Sequence, residues 1–107
     1  MKTQTAEATR PEIEYPLEAE MIVSSEYTFR IAAPAGVNGV DVSIDQGPWL
    51  AARNEVGHWW YDWSGYGDGE HEIIARVRGK GGRWRMSDPQ EFRVVTTAPV
   101  QVSAEVV

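Results

Sequence analysis

The feature that most constrains the fold is a run of alternating residues between Val42 and Arg78, in which strand-like segments are separated by turn residues. Its central segment, from His58 to Trp63, has the sequence His-Trp-Trp-Tyr-Asp-Trp. In an extended strand, adjacent side chains point to opposite faces of a sheet. Two neighbouring tryptophans therefore cannot both enter one core, and we predict a strand with one buried face and one outer face.

The spacing of the rings predicts which face of this strand is buried. Three large rings on a solvent face would form an unusually large apolar patch for a monomer. We therefore assign the face with the most aromatic area to the core. That face holds Trp59, Tyr61 and Trp63, and the outer face holds His58, Trp60 and Asp62. Trp60 is then predicted to be the exposed aromatic residue of the strand.

Shorter alternating runs on both sides of this strand predict an all-β domain. Turn residues such as Pro34, Gly36 and Gly39 separate these runs, and none of the runs requires a helix. About seven strands are expected, at the spacing of an immunoglobulin-like, two-sheet antiparallel β-sandwich. A chain of 107 residues is long enough to close the core of one such domain.

The two ends of the chain differ from the predicted sandwich, which is expected to span residues 11–96. Residues 1–10 lack periodicity and large apolar groups, which predicts a flexible N-terminal arm. Residues 97–107 are β-prone but contain Pro99, which predicts a tail, a linker or a strand added to a sheet edge. The chain as given shows no signal peptide and no membrane span, so we expect a soluble protein. The absence of cysteine leaves its compartment open.

The charge pattern bears on possible partners. A net charge of −6 argues against nucleic acid, which binds clustered cations. The charges are uneven, because residues 1–26 hold six acids and two bases, whereas residues 76–93 hold six bases and two acids. This asymmetry suits a protein partner, or a second copy bound head to tail. Ion pairs across the strands of a solvated sheet face are the structural alternative.

Three motifs together resemble a known group of domains. They are Val-Ser-Ile-Asp-x-Gly-x-Trp at 42–49, Trp-x-Tyr-x-Trp at 59–63 and Asp-Gly-x-His-x-Ile-x-Ala-Arg at 68–76. The combination resembles the bacterial immunoglobulin-like domains, which are related in shape to fibronectin type III modules. The first motif is also similar to a turn in the immunoglobulin-like dimerisation domain of molybdenum sulfite-oxidising enzymes. These are turn and packing residues, so the resemblance implies a fold and not an activity.

The resemblance spans about residues 13–95. Within this span, the sequence departs from the pattern of these domains at Gln46, where many of them have glycine. A glycine is favoured where the backbone adopts a positive φ angle. The departure therefore leaves open which type of turn follows the strand that ends at Ile44.

The candidate binding residues are aromatic residues and their polar neighbours. Trp60, together with Trp49, Tyr66 or Trp84, is predicted to form a platform for a sugar ring or a hot spot for a protein partner. In the structural alternative, Trp60 packs beneath a loop or an arginine side chain, and Trp49 and Trp84 close the ends of the sandwich. The candidate set is His58, Trp60, Asp62, Trp49, Arg53, Tyr66 and Trp84, with Asn54 added for a sugar ligand.

The sequence shows no convincing catalytic or metal-binding pattern. His58 and His71 lie on different predicted strands without a short ligand spacing, and the segment 62–70 lacks the spacing of a calcium loop. There is no Gly-x-Ser-x-Gly motif for nucleophilic hydrolysis. We therefore expect no cofactor, no metal and no enzyme activity. The sequence favours a non-catalytic protein-interaction or assembly module, and the alternatives are a carbohydrate-binding module and an accessory domain of a larger enzyme.

Overall fold

A computed structural model describes residues 10–78 and 83–96, and these residues form two β-sheets. None of the described residues belongs to a helix long and apolar enough to cross a bilayer. Ten strands are present within the described ranges. They are β1 (Glu12–Tyr15), β2 (Glu20–Ile22), β3 (Glu26–Ala32), β4 (Val40–Ile44), β5 (Leu50–Ala51), β6 (Arg53–Glu55), β7 (His58–Ser64), β8 (Gly69–Arg78), β9 (Trp84–Met86) and β10 (Gln90–Val94).

The strands are divided between a four-stranded first sheet and a six-stranded second sheet. The first sheet has the order β1-β3-β7-β6, and the second has the order β2-β10-β8-β4-β5 with β9 also paired to β8. The pairing of β2 with β10 is parallel, with Ile22 opposite Val94, whereas the other described pairs are antiparallel. β1 lies at the edge of the first sheet, as the proline that follows it predicts. The predicted two-sheet β-sandwich is confirmed.

The strands outnumber the expected seven because the chain changes sheets or bends within short segments. β5 pairs with β4 in the second sheet, whereas β6 pairs with β7 in the first, so the chain crosses between the sheets at Ala52. β9 and β10 both pair with β8 but are separated at Ser87. There the Ser87 hydroxyl accepts a hydrogen bond from the Ala75 amide, over 3.0 Å. The Ser87 hydroxyl thus accepts the hydrogen bond that a backbone carbonyl would accept in a regular ladder.

The core lies between the two sheets and is built from the alternate apolar residues of each long strand. Phe29 and Ile31 of β3 are fully buried, as are Val42 of β4 and Ile73 of β8. Burying each of these side chains contributes about 2–3 kcal/mol before entropy costs. Three aromatic residues of β7 pack against this core, namely Trp59, Tyr61 and Trp63. The predicted inner face of the aromatic strand is therefore confirmed.

Contacts at both ends of the sandwich tie down the first and last described residues. Arg10 Nη2 lies 3.1 Å from Asp88 Oδ2. At the other end, the Thr96 hydroxyl donates to Asp68 Oδ1 over 2.6 Å, and the Val95 amide donates to the Ile22 carbonyl over 2.9 Å. The rest of the predicted arm, residues 1–9, and the predicted tail, residues 97–107, lie outside the described residues.

Candidate functional site

The motif residues that carry the fold resemblance make structural contacts between β4 and β8. Asp45 Oδ1 accepts a hydrogen bond from the Glu72 amide over 2.9 Å, and Asp45 Oδ2 lies 2.7 Å from Nδ1 of His71. His71 Nε2 lies 2.8 Å from the Gly67 carbonyl oxygen. Because both partners of the ring accept hydrogen bonds, both ring nitrogens donate, as in the imidazolium form. Burial opposes this charge, but the hydrogen bonds to Asp45 and Gly67 raise the pKa of His71 overall.

The turn that holds Asp45 has a left-handed backbone. Asp45 has a φ angle of 55° and Gln46 one of 63°, and the Gly47 amide donates to the Ile44 carbonyl over 2.9 Å. Positive φ angles at both central residues define a type I′ turn, which favours glycine, asparagine and aspartate. Gln46 therefore occupies a conformation suited to glycine. The departure from the pattern of the resembled domains leaves a strained residue in this turn.

Four of the seven candidate residues, His58, Trp60, Asp62 and Arg53, lie on the outer face of the first sheet, and the three with ionisable side chains pair with neighbouring side chains. Asp62 accepts hydrogen bonds from the Thr28 hydroxyl over 2.7 Å and from Arg53 Nη1 over 2.8 Å. The bonds from Thr28 and Arg53 lower the pKa of Asp62, and the bond to Asp62 raises the pKa of Arg53. His58 Nε2 lies 3.2 Å from Glu14 Oε1. These residues form the cross-strand pairs of a solvated sheet face.

Trp60 lies on the predicted outer face but is half-buried, so the prediction of an exposed aromatic needs correction. Its indole N–H donates to the Glu55 carbonyl over 2.8 Å, and its ring packs edge to face against His58. The strand register places Arg30 of β3 and Arg53 of β6 opposite it. The alternation of side chains along β7 predicted the correct face for Trp60. It did not account for long side chains on both neighbouring strands that flank the ring.

Tyr66 belongs to the aromatic packing at one end of the sandwich. Its ring stacks on Trp63 with centroids 3.8 Å apart, and its hydroxyl donates to the Ser24 carbonyl over 2.8 Å. Burial raises the pKa of Tyr66, although the bond to Ser24 opposes the shift. Tyr66 therefore has a structural role and does not join Trp60 in a shared platform.

Trp49 and Trp84 lie on the outer face of the second sheet, on either side of Arg76. The guanidinium carbon of Arg76 is 4.3 Å from the ring centroid of Trp49 and 4.0 Å from that of Trp84. Its Nε donates to Asp41 Oδ2 over 3.0 Å. Trp60 is on the opposite sheet, so the predicted platform of Trp60 with Trp49 or Trp84 is not assembled. Neither of these two tryptophans closes an end of the sandwich.

A surface that we call the aromatic–arginine patch surrounds this stack. Trp84 is 45% exposed and Met86 is 52% exposed. In the register of β8 and β9, Met86 lies opposite Arg76 and Trp84 lies opposite Arg78, so these side chains share the outer face. The patch consists of Trp49, Arg76, Arg78, Trp84 and Met86. Sequence reasoning did not single out Met86, although its spacing of two residues from Trp84 in β9 places both on one face.

The basic segment 76–93 is only partly neutralised. Arg76 pairs with Asp41, and Arg93 pairs with Glu70. Within the described ranges, three other arginines have no carboxylate oxygen within 4.0 Å. They are Arg78, Arg83 and Arg85. Lys80 lies outside the described residues. Arg78 belongs to the patch, so the patch itself carries positive charge that the described part of the chain does not balance.

The described residues contain no group of three or more histidine, aspartate or glutamate side chains arranged to hold a metal ion. One open cleft of about 560 Å³ is lined by polar residues around the Asp45–His71 pair. Its other lining residues are Gln46, Glu70, Glu72 and Glu91. Both ring nitrogens of the histidine are already hydrogen-bonded, so this arrangement has a structural explanation.

Comparison with solved structures decides the type of sandwich. The fibronectin(III)-like modules of Clostridium thermocellum CbhA match with a TM-score of 0.67, over 78% of this chain and 93% of that chain, at 14% identity. The chain has an immunoglobulin-like β-sandwich fold. CopC from Methylosinus trichosporium OB3b also matches, with a TM-score of 0.61 over 81% of this chain and 95% of that chain, at 16% identity.

These comparisons support the fold alone, because the sequence identities are low. No family model matches the sequence, and a search of curated proteins also gives no match. The resemblance to fibronectin type III-like sandwiches is confirmed at the level of fold. The similarity of the turn at 42–49 to the dimerisation domain of sulfite-oxidising enzymes stays a prediction.

Proposed function

We propose that this chain is a non-catalytic interaction module that makes protein contacts through the aromatic–arginine patch. The supporting observation is the exposure of Trp84 and Met86 beside two arginines on one sheet face. Tryptophan, methionine and arginine are enriched in the buried centres of protein interfaces, and tryptophan and arginine dominate their energetic hot spots. The composition of the patch therefore suits a protein partner.

The rigidity of the patch supports the same proposal. Arg76 is held between two indole rings and by the Asp41 carboxylate. A side chain that is already fixed loses less rotamer entropy when a partner binds, at a saving of about 0.5–1.5 kcal/mol for each long side chain. The patch thus offers a partner a preformed surface of planar groups.

A carbohydrate ligand is less well supported by the geometry. Sugar rings stack on free aromatic faces, but Arg76 already covers one face each of Trp49 and Trp84. Trp60 lies between strands that present Arg30 and Arg53. Titration of the protein with soluble polysaccharides, followed by tryptophan emission, is expected to give no change. A blue shift or quenching that saturates would favour the carbohydrate alternative.

The assignment as non-catalytic rests on the state of the polar side chains. A general acid or base must reach a substrate with a free proton-transfer atom. Among the polar residues considered from the sequence, Asp62 is bonded to Arg53, and both ring nitrogens of His71 are bonded to Asp45 and Gly67. The CbhA neighbours are modules, and a role as an appended accessory domain is compatible with the same contact surface.

A site-specific photo-crosslinking experiment tests the proposal. We would place p-benzoylphenylalanine at Met86 and, as a control, at Val56, which is 89% exposed in the turn between β6 and β7 of the first sheet. The expected result, in cells that naturally produce the protein, is a discrete protein adduct from position 86 and none from position 56. No adduct at position 86, or the same adducts at both positions, would contradict the proposal.

A further inference from the structure

Most of the large apolar side chains that are exposed on the second sheet fall into two groups, at opposite ends of β8. Trp84 and Met86 belong to the aromatic–arginine patch, beside the C-terminal end of β8. Leu17, Met21 and Val23 flank or lie on β2 and are 55%, 58% and 69% exposed. The register aligns Met21 with Arg93 of β10, and Arg93 with Glu70 of β8, so this second group is beside the N-terminal end of β8.

Three carboxylates lie beside the second group, and they belong to Glu18, Glu72 and Glu91. Glu72 of β8 and Glu91 of β10 lie directly opposite each other in the antiparallel register. Glu18 lies close by, because its Oε1 accepts a hydrogen bond from the Glu91 amide over 3.2 Å. None of these three carboxylates pairs with a cation in the part of the chain that the structure describes. We call Leu17, Glu18, Met21, Glu72 and Glu91 the acidic–apolar end.

The pairing of Glu72 with Glu91 is unfavourable within a single copy of the chain. Like charges directly opposite each other on one sheet face destabilise the pairing of the strands, and opposite charges stabilise it. A cation supplied by a partner would relieve the repulsion. Two ion pairs lie beside these carboxylates, Arg93 with Glu70 and His71 with Asp45, so both of these cations already have a carboxylate partner.

The aromatic–arginine patch has the complementary properties. Arg78 of the patch lacks a carboxylate partner among the described residues, and so does Arg83, which directly precedes β9. Glu72 and Arg78 lie on the same face of β8, six residues apart, which is about 20 Å along an extended strand. One sheet face therefore carries an acidic apolar surface and a basic apolar surface at separate positions.

We infer that a second copy of this chain binds head to tail, with the aromatic–arginine patch of one copy on the acidic–apolar end of the next. This inference rests on the proposed function, in which the patch makes protein contacts, and it names the partner. The contact joins two different surfaces, so each pair of copies keeps one free surface of each kind and further copies can add. Opposite charges steer the two surfaces together, and salt weakens the contact.

Sedimentation equilibrium of the whole chain tests this inference. We expect the fraction of associated chains to rise with protein concentration and the association constant to fall at high salt. Arg78→Glu reverses the charge at the patch, and Glu91→Lys reverses it at the acidic–apolar end. Each variant alone should lose about tenfold or more in association constant. Glu12→Lys, on an exposed residue of β1 in the first sheet, makes the same charge change as Glu91→Lys and should leave association unchanged.

Mixing the two reversed variants distinguishes a head-to-tail contact from a symmetric one. Arg78→Glu keeps an intact acidic–apolar end, and Glu91→Lys keeps an intact patch, so an equimolar mixture should recover pairs that neither variant forms alone. Urea denaturation of both variants checks that each is folded. Three outcomes would each overturn the inference. The wild-type chain stays monomeric at every concentration, or neither charge reversal lowers the association constant, or the mixture of the two variants recovers no pairs.

The crosslinking experiment at position 86 separates this inference from the proposed function. An adduct that contains only copies of this chain supports both. An adduct with a different protein, from a chain that sediments as a monomer, leaves the proposed function standing and overturns the second copy as the partner. The absence of any adduct at position 86 overturns both.

Discussion

Gln46 illustrates how one side chain can be mismatched to its backbone. Its φ angle of 63° is one that glycine adopts freely and that a residue with a Cβ atom adopts at a cost of about 1–2 kcal/mol. The residue is exposed, and its side chain forms no hydrogen bond with the described residues. The side chain therefore brings no contact that offsets the cost of its backbone conformation.

Gln46→Gly is expected to raise the free energy of unfolding by about 1 kcal/mol, because relief of the left-handed strain exceeds the entropy that glycine loses on folding. The measurement is the midpoint of urea denaturation. Gln46→Ala is the matched control, since it removes the side chain but keeps the strain, and should change stability by less than about 0.5 kcal/mol. A lower midpoint for the glycine variant would show that the turn is not strained.

His71 predicts a pH dependence of stability with a definite sign. Its folded pKa is raised, with burial opposing and the bonds to Asp45 and Gly67 prevailing, so the folded state binds the proton more tightly than the unfolded state. The stabilisation is fully present below the unfolded pKa of about 6.5 and is lost as pH rises through the folded pKa. Urea denaturation across this window should show wild type losing stability relative to His71→Gln as pH rises. A difference that is constant or grows with pH would contradict this.

At the scale of single strands, β8 holds much of the second sheet together. Its outer face presents Arg76, which contacts Trp49 before β5, Trp84 of β9 and Asp41 of β4. One side chain thereby links β8 to three other segments of the second sheet.

Arg76→Ala is expected to reduce the free energy of unfolding by about 2 kcal/mol. Two cation–π contacts contribute about 0.5–1 kcal/mol each, and the half-buried Asp41 loses its charged hydrogen-bond partner. Arg78→Ala is the control, because Arg78 is exposed and its only described ring contact is longer, 5.4 Å to the Trp84 centroid. It should cost less than about 0.5 kcal/mol. Equal losses for the two variants would show that the stack does not stabilise the sheet.

The strands themselves were predictable from sequence, but their partners were not. Alternation identified the inner faces of β3, β4, β7 and β8, because each of these strands has five residues or more and one buried face. The crossing between sheets at Ala52 involves segments of two and three residues, which are too short to show a period. Alternation is a local property, and strand pairing joins residues far apart in the chain.

The candidate site shows the same division between local and distant information. The alternation of side chains along β7 correctly predicted that Trp60 lies on an outer face. Alternation within one strand carries no information about the neighbouring strands, which place Arg30 and Arg53 opposite Trp60. It also did not reveal that Trp49 and Trp84 meet at Arg76, since this requires the register of β8 with both β4 and β9. Grouping aromatic residues by type alone therefore combined rings that lie on opposite sheets.

At the scale of the whole molecule, the contacts of Arg10 and Thr96 are those of the first and last residues that the structure describes. We predict that removal of residues 1–9 and 97–107 leaves the unfolding temperature within about 2 °C of the full chain, because residues 10–96 already contain both sheets and the buried core. Removal of Thr96 as well should lower it by several degrees, since the hydrogen bonds that the Thr96 amide and hydroxyl donate to Asp68 are then lost. Circular dichroism melting measures both. A large loss from the first truncation would place part of the core outside residues 10–96.

The parallel pairing of β2 with β10 has a mechanical consequence. The chain enters this pair at the start of β2 and leaves it at the end of β10, so tension applied through the two ends pulls the strands in opposite directions along their length. The hydrogen bonds that join them, including those of Ala19 and Val95, are then loaded together and not opened one after another. A module connected at both ends to larger partners would resist stretching through this short ladder, and its lifetime under force would follow the rate of shearing it apart.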